Sequence, residues 1–173
     1  MARGVDARDH PLLQRTQGRT RRAPADGLIA RATSCGSLRS LGGQDCPSAV
    51  IAENDLALSF VRDDRLDGYS YVIPKRHVPL LADLRDDEAS AVMTMIRQLA
   101  TAITSELRPD GLNVFQNNGI VANQTVPHVH FHVAPRTVEQ MATWTPASDA
   151  WSGAVQPVEP RRELAQRFAR HLP

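Results

Sequence analysis

Three histidines alternate with two apolar residues in the segment His128-Val129-His130-Phe131-His132, which holds half of the chain's six histidines. Imidazole can serve as an acid–base catalyst, a nucleophile or a metal ligand. Side chains of a β-strand alternate between its two faces. A strand here would therefore present three imidazoles on one face and send Val129, Phe131 and Val133 into a core. We predict that this row of imidazoles carries the chemistry of the protein.

Two kinds of chemistry suit such a row. A His-x-His pair on a strand has good geometry for zinc, but no Asp, Glu or Cys lies close by in the sequence to complete a metal centre. The loop from Asn117 to Pro127 is rich in Asn and Gly, which accept left-handed backbone conformations and can form an anion-binding nest. Taken alone, the loop is better explained as an ordinary connection. Beside three imidazoles, and with the hydroxyl of Thr125, it favours phosphoryl or nucleotidyl transfer.

The segment from Gln124 to Val133, followed by Pro135-Arg136, resembles the histidine triad (HIT) superfamily of nucleotide hydrolases and transferases. The family signature is His-φ-His-φ-His-φ-φ, where φ is apolar. Two upstream segments, 71–77 and 111–119, resemble the strands and loop that precede the triad in this family. Because these segments occur in the family's order, the resemblance covers about residues 48–136, roughly half of the chain.

The resemblance implies a mechanism for the triad. It assigns the nucleophile to the middle histidine, His130, which would attack the α-phosphorus of a nucleoside phosphoramidate or dinucleoside polyphosphate and form a nucleotidyl-histidine. His128 and His132 would contact phosphate oxygens or orient the nucleophile. A purine nucleotide is the implied substrate, no metal or other cofactor is required, and a homodimer with one continuous sheet is implied. The residues implied to bind the phosphates are Asn117, Gln124 and Thr125.

One departure from the family pattern concerns metal. Many bacterial relatives bind a structural zinc through a Cys-x-x-Cys motif and two later histidines, which correspond here to His77 and His128. Leu38 stands three residues after Cys35, so one thiolate of that motif is missing. A four-ligand zinc site would lack a ligand, and we predict that the protein holds no stoichiometric zinc.

Two further departures concern the substrate side of the site. Tyr69 stands where relatives carry a fourth histidine, and Arg62 stands where an acidic residue often contacts the ribose, with Asp63 and Asp64 next to it. These changes leave two classes of function open. The first is a nucleotide hydrolase or transferase, and the second is a nucleotide-binding or scaffold protein with little catalytic activity. A metal-binding module is a weaker third interpretation.

Composition places limits on the remaining possibilities. A chain of 173 residues with 42% hydrophobic residues fits one domain, and a net charge of +1 gives no reason to expect nucleic acid or membrane as partners. No apolar run approaches the roughly 18 residues that span a bilayer, and no signal peptide is visible. With two cysteines the chain is expected to be cytoplasmic. Residues 1–50 hold eight arginines and four acidic residues with little apolar periodicity. We therefore predict a disordered N-terminal extension over residues 1–44.

Periodicity predicts an α+β fold in which an antiparallel sheet packs against one long helix, followed by a short C-terminal helix. Acidic residues from Asp86 begin the long helix and Pro109 follows its end. The HIT-like domain is predicted over residues 45–138 and a C-terminal tail over 139–173. The predicted strands are 48–52, 56–61, 69–74, 112–116 and 126–135, and the predicted helices are 86–108 and 161–172.

Overall fold

The computed structural model describes residues 49–62, 64, 67–141 and 156–173. The predicted N-terminal extension over residues 1–44 and both cysteines lie outside the described residues. The described part contains five strands and two α-helices, which confirms the α+β prediction. In chain order they are β1 (Val50–Glu53), β2 (Ala57–Val61), β3 (Ser70–Pro74), α1 (Asp86–Leu107), β4 (Gly111–Gln116), β5 (Phe131–Arg136) and α2 (Val158–Ala169).

The five strands form one antiparallel sheet in the order β1-β2-β3-β5-β4. Strand β5 lies between β3 and β4, so its residues face a neighbour on both sides. His132 lies opposite Tyr71 of β3 and opposite Phe115 of β4. The topology therefore surrounds one triad histidine with two aromatic side chains from strands that are distant in sequence.

Alternation along the strands separates two cores, one on each face of the sheet. On one face, Val72 and Val133 pack with the apolar side of α1 and with α2. On the other face, Phe60, Tyr69 and Tyr71 form a second cluster. The prediction that Phe131 and Val133 point into a core is confirmed, since both belong to the helix-side cluster. The imidazole of His132 therefore lies on the opposite face, among the tyrosines.

Helix α1 begins and ends where its sequence predicts. Its first turn is acidic, and the buried Glu88 accepts hydrogen bonds from the Arg85 N–H (3.0 Å) and from the guanidinium of Arg76 (2.7 Å, two bonds). The negative charge of this carboxylate is favourable in the first turn, because the N-terminus is the positive end of the helix dipole. The last helical residue is Leu107, and Arg108 takes the left-handed conformation with φ 50° before Pro109.

The predicted start of the triad strand is wrong. The strand was expected from Val126, but β5 begins at Phe131. A tight turn around Pro127 precedes it, in which the His128 N–H donates to the Val126 carbonyl (2.8 Å). The pairing of β5 with both of its neighbours ends at Phe131, which lies opposite Val72 of β3 and opposite Gln116, the last residue of β4. The Val129 N–H bonds to the Val78 carbonyl instead (2.7 Å).

Helix α2 is displaced by three residues from its predicted position, 161–172. It begins at Val158, and Pro160 lies within its first turn, where a missing N–H breaks no intrahelical bond. Leu164, Ala165 and Phe168 are buried and pack into the helix-side core. No helix among the described residues has the length and apolar character needed to cross a membrane.

Candidate active site

All three triad histidines are buried. The exposed fraction is 0% for His128, 3% for His130 and 7% for His132. His132 lies on β5, whereas His128 and His130 lie in the extended segment before it. The ring centroids of His130 and His132 are 5.0 Å apart. The structure therefore brings the histidines together, although only one of them belongs to the sheet.

The middle histidine has a fixed tautomer. Nδ1 of His130 lies 2.7 Å from the carbonyl oxygen of His128. A carbonyl oxygen only accepts hydrogen bonds, so Nδ1 must carry the proton. In the neutral ring, Nε2 then keeps its lone pair, and no other hydrogen bond of this ring is formed within the described residues. A neutral imidazole held this way presents a basic, nucleophilic nitrogen.

Both ring nitrogens of the first histidine have partners inside the protein. Nε2 of His128 donates to the Pro74 carbonyl (2.9 Å), and Nδ1 lies 3.1 Å from Nδ1 of His77. Because His128 uses its only ring proton on Pro74, the His77 N–H must donate to His128. This chain of bonds holds His128 in place and leaves it no free nitrogen for a ligand.

The third histidine is held by aromatic neighbours. The ring of Phe115 stacks on His132 with centroids 4.3 Å apart and planes within 6°. Tyr71 meets the same imidazole edge-on at 5.1 Å. The hydroxyl of Tyr69 lies 2.8 Å from Nδ1 of His132, whereas the buried Nε2 has no hydrogen-bond partner among the described residues. Nε2 of His132 is therefore available to form a hydrogen bond with a ligand.

Burial keeps the triad neutral. It lowers the pKa of His128 to about 4, with the neighbouring His77 and His130 adding to the effect of burial. It lowers the pKa of His132 to about 3, assisted by His130 and by the positive charge of Arg62. Burial is also the largest cause of the lowered pKa of His130, to which Arg62 contributes. All three rings are thus uncharged near neutral pH, as a nucleophile requires.

The loop before the triad is closed by its own hydrogen bonds. The backbone N–H groups of Gly119, Ala122, Asn123 and Gln124 all donate to oxygens within the loop. Gly119 (φ 93°) and Asn123 (φ 65°) adopt the positive φ that these residue types tolerate. The anion nest considered from the sequence is therefore not formed by these four groups, because their protons are already in use.

The three predicted phosphate-binding residues differ in their surroundings. The buried side-chain amide of Gln124 accepts from the Gly119 N–H (2.7 Å) and donates to the Pro79 carbonyl (2.7 Å). It fastens the loop beside the triad. Asn117 is half-buried and contacts the Asn123 carbonyl at 3.4 Å, and Thr125 is exposed. Thr125 is thus accessible to a ligand, whereas the amide of Gln124 is occupied.

Sequence reasoning did not find the buried ion pair next to the site. Arg62 and Asp64 are 1% and 5% exposed, and their side chains pair in the interior, with one N–O distance of 2.7 Å. The guanidinium of Arg62 lies 4.8 Å from the ring centroid of Tyr69 and 5.9 Å from that of Tyr71. The rings of Tyr69 and Tyr71 form an aromatic wall of the site, and Arg62 supports this wall from behind. Asp63, which stands next to the position where relatives often contact the ribose, lies outside the described residues.

Tyr69 is placed by the turn that precedes it. Its N–H donates to the Asp67 carboxylate (3.1 Å), and Gly68 has φ 91°. A Cβ at Gly68 would lie 2.5 Å from Cδ1 of Leu107, so glycine is needed for both conformation and space. This turn is a local feature, whereas the contact that it creates between Tyr69 and His132, 63 positions later, is not indicated by the local sequence.

The described residues supply only part of a zinc site of the family type. His77 and His128 lie together, but no group of three His, Cys, Asp or Glu side chains that could hold a metal ion occurs in the described ranges. Cys35, Leu38 and Cys46 lie outside them. The donor set described is incomplete for zinc, which prefers four ligands in structural sites.

Comparison with known proteins gives the family. The HIT domain profile matches residues 44–139. The adenosine 5'-monophosphoramidase of Schizosaccharomyces pombe is 34% identical over 97 residues, which are 56% of this chain and 70% of that protein. A bis(5'-nucleosyl)-tetraphosphatase of the same yeast is 37% identical over 90 residues, 51% of this chain but only 50% of that protein. A crystal structure of a Hit-like protein from Bartonella henselae has a TM-score of 0.62 and 26% identity, and covers 75% of this chain and 90% of that one. Since the profile spans more than half of the sequence, the chain belongs to the HIT domain family.

Proposed function

We propose that this protein is a nucleotide hydrolase or transferase that acts at the α-phosphate of nucleoside phosphoramidates or dinucleoside polyphosphates through a nucleotidyl-histidine. The observation that carries the proposal is the state of His130. Its Nδ1 proton is committed to the His128 carbonyl and its ring is neutral, so the lone pair of Nε2 is available for attack on phosphorus.

The named relatives support the choice of bond. A monophosphoramidase and a tetraphosphatase share a nucleoside 5'-phosphoryl group and differ in the group attached to it. A nucleophile that bonds to the common phosphorus can serve both, because the leaving group departs from the opposite side. This supports a purine nucleotide as the substrate and leaves the leaving group open between an amine and a phosphate.

The reaction proceeds in two displacements. In the first, the lone pair of His130 Nε2 forms a bond to the α-phosphorus while the bond to the leaving group breaks, and the leaving group keeps that electron pair and takes a proton from solvent. The ring then carries positive charge, which the His128 carbonyl stabilises through the bond to Nδ1–H. In the second, water forms the new P–O bond, the N–P bond breaks, and its electron pair returns to Nε2. The proton released by water balances the proton taken by the leaving group.

The other side chains divide the supporting work. Both nitrogens of His128 are in use, so we assign it the positioning of His130 rather than contact with phosphate. Nε2 of His132 has no hydrogen-bond partner in the part of the chain that the structure describes, so we assign it contact with a non-bridging oxygen. Gln124 holds the loop, and the exposed Thr125, with Asn117, is left to contact the phosphates. Donors fixed before the substrate arrives stabilise the charge on phosphorus most effectively.

The proposed assembly is a homodimer joined through β4. This strand is at the edge of the sheet and pairs with β5 on one side, and Val114 at its centre is 44% exposed. An edge strand of this kind is a template for pairing with another strand. Light scattering after size exclusion is expected to give twice the chain mass of 19.0 kDa. A mass of one chain at micromolar concentration would contradict the dimer.

Turnover of a substrate panel tests the proposal. Purified protein, treated with chelator, is expected to release AMP from adenosine phosphoramidate or from a diadenosine polyphosphate. The His130→Ala variant is expected to lose activity by several orders of magnitude while it still folds and binds AMP. His171→Ala is the matched control, because His171 is a partly exposed histidine paired with Glu106 near the end of α2, and it is expected to keep full activity. If the wild-type protein binds AMP but releases none from any substrate, the protein is a nucleotide-binding member of the family and the enzyme proposal fails.

A further inference from the structure

Tyr69 forms a hydrogen bond with His132 of the triad, although the two residues are far apart in the sequence. The phenol of Tyr69 is fully buried, and its hydroxyl lies 2.8 Å from Nδ1 of His132. The two rings meet edge-on at 5.9 Å. Either group could provide the shared proton, and the choice determines which nitrogen of His132 carries a hydrogen. That choice fixes what His132 can do for a ligand.

Acidity decides the direction of this bond. A phenol, with an ordinary pKa of about 10, is a far stronger acid than the N–H of a neutral imidazole. The bare nitrogen of an imidazole is also a far stronger base than a phenol oxygen. The guanidinium of Arg62, 4.8 Å from the centroid of the Tyr69 ring, adds positive charge that makes the phenol a better donor. The hydroxyl therefore donates, and Nδ1 of His132 accepts.

We propose that Tyr69 is a positioning residue that holds His132 as its Nε2–H tautomer, so that this N–H is reserved for an oxygen of the substrate's α-phosphate. The proposal rests on the proposed function for its substrate. Nε2 of His132 is buried and has no hydrogen-bond partner among the described residues, which is the state expected of a donor awaiting a ligand. The stacked ring of Phe115 and the edge of Tyr71 keep the imidazole from turning over.

The two neighbouring imidazoles then have opposite chemistry at the same ring position. His130 donates a hydrogen bond from Nδ1–H to the His128 carbonyl and keeps Nε2 without a proton. His132 accepts a hydrogen bond from the Tyr69 hydroxyl at Nδ1 and keeps its proton on Nε2. With ring centroids only 5.0 Å apart, one acts as the nucleophile and the other as a hydrogen-bond donor. Tyr69 thereby prevents His132 from competing for the phosphorus.

Nitrogen NMR of histidine-labelled protein tests the tautomer without any substrate. In the wild-type spectrum, His132 is expected to carry its proton on Nε2, and added AMP is expected to shift that N–H signal downfield. Tyr69→Phe removes the hydroxyl and keeps the ring, so His132 is expected to become a mixture of both tautomers. Tyr71→Phe is the matched control, because it removes a hydroxyl from a ring against the same imidazole and is expected to leave the tautomer unchanged. A proton on Nδ1 in the wild type, or an unchanged tautomer in Tyr69→Phe, would overturn the proposal.

Kinetics provides the second readout. Since a donor to the phosphate acts mainly in the transition state, Tyr69→Phe is expected to lower kcat by about 10–100-fold with little change in KM. A rise in KM at constant kcat would contradict this role. The two failures are distinguishable. Absence of turnover in the wild type defeats the proposed function alone, whereas a wrong tautomer defeats the role of Tyr69 even in an active enzyme. The wild-type spectrum remains decisive should Tyr69→Phe not fold.

Discussion

Substituting Asp64 by asparagine removes the charge that faces a buried arginine at the back of the site. Asp64 and Arg62 pair in the interior, where their side chains are each 1% exposed. Asparagine keeps nearly the same shape and one hydrogen-bond-accepting oxygen, so the substitution tests charge rather than packing. The contrast within the same molecule is Glu53, which is 61% exposed and pairs with Lys75 at 2.9 Å.

The two substitutions are expected to differ in magnitude. Removing one partner of a buried ion pair typically costs about 3–5 kcal/mol. In the variant, the guanidinium of Arg62 would still lie over the rings of Tyr69 and Tyr71. A cation over an aromatic ring contributes roughly 0.5–2 kcal/mol, which offsets part of the loss. We therefore expect Asp64→Asn to lower the free energy of unfolding by about 3 kcal/mol. An exposed pair contributes about 0.2–1 kcal/mol, so Glu53→Gln should cost about 0.5 kcal/mol.

Urea unfolding followed by circular dichroism measures both changes under one set of conditions. The expected result is a clearly lower midpoint for Asp64→Asn, a midpoint near wild type for Glu53→Gln, and the same slope for all three proteins. If Asp64→Asn cost less than about 1 kcal/mol, the buried pair would not be a main support of the aromatic wall, and the reasoning from burial to energy would be refuted.

Three further predictions concern activity and metal. Because burial lowers the pKa of His130, the ring should stay neutral to below pH 6.5, the ordinary pKa of a free imidazole. The fall of kcat/KM on the acid side should therefore have its midpoint below pH 6.5, and a midpoint at or above 6.5 would contradict this. His128→Ala and His132→Ala should each lower kcat by about 10²–10³, less than His130→Ala, and an equal loss in steady-state assays would refute the division of roles. Elemental analysis should find well under one zinc per chain, because one thiolate of the family's zinc site is missing. Stoichiometric zinc that is lost in His77→Ala would contradict this and would show that another ligand takes the place of that thiolate.

The sequence predicts best those features that depend on neighbours along the chain. The alternation around the triad placed Phe131 and Val133 in a core and His132 on the opposite face, because the period of two is a local property of a strand. The limits of α1 followed from its acidic start and from Pro109. The predicted start of the triad strand was wrong because a strand also needs partners, and the pairing with β3 and β4 ends at Phe131.

The contacts that the sequence did not predict join residues from distant parts of the chain. Tyr69 and His132 are 63 positions apart, and nothing in either local segment indicates their hydrogen bond. The family resemblance implied that Gln124 binds phosphate, but the partners of its amide, Pro79 and Gly119, become visible only when the loop is folded against the sheet. Nothing in the sequence around Arg62 and Asp64 indicates that these two charged side chains are buried as a pair.

The most direct test of the account is the capture of the covalent intermediate. Protein mixed with a slowly cleaved adenosine substrate and quenched without acid should gain the mass of one AMP group per chain. Fragmentation of the triad peptide should place that group on His130, because only this ring presents a bare Nε2 fixed by a carbonyl at Nδ1. The adduct should be absent from His130→Ala. An adduct located on His132 or Thr125, or turnover with AMP release and no dependence on His130, would contradict the central claim.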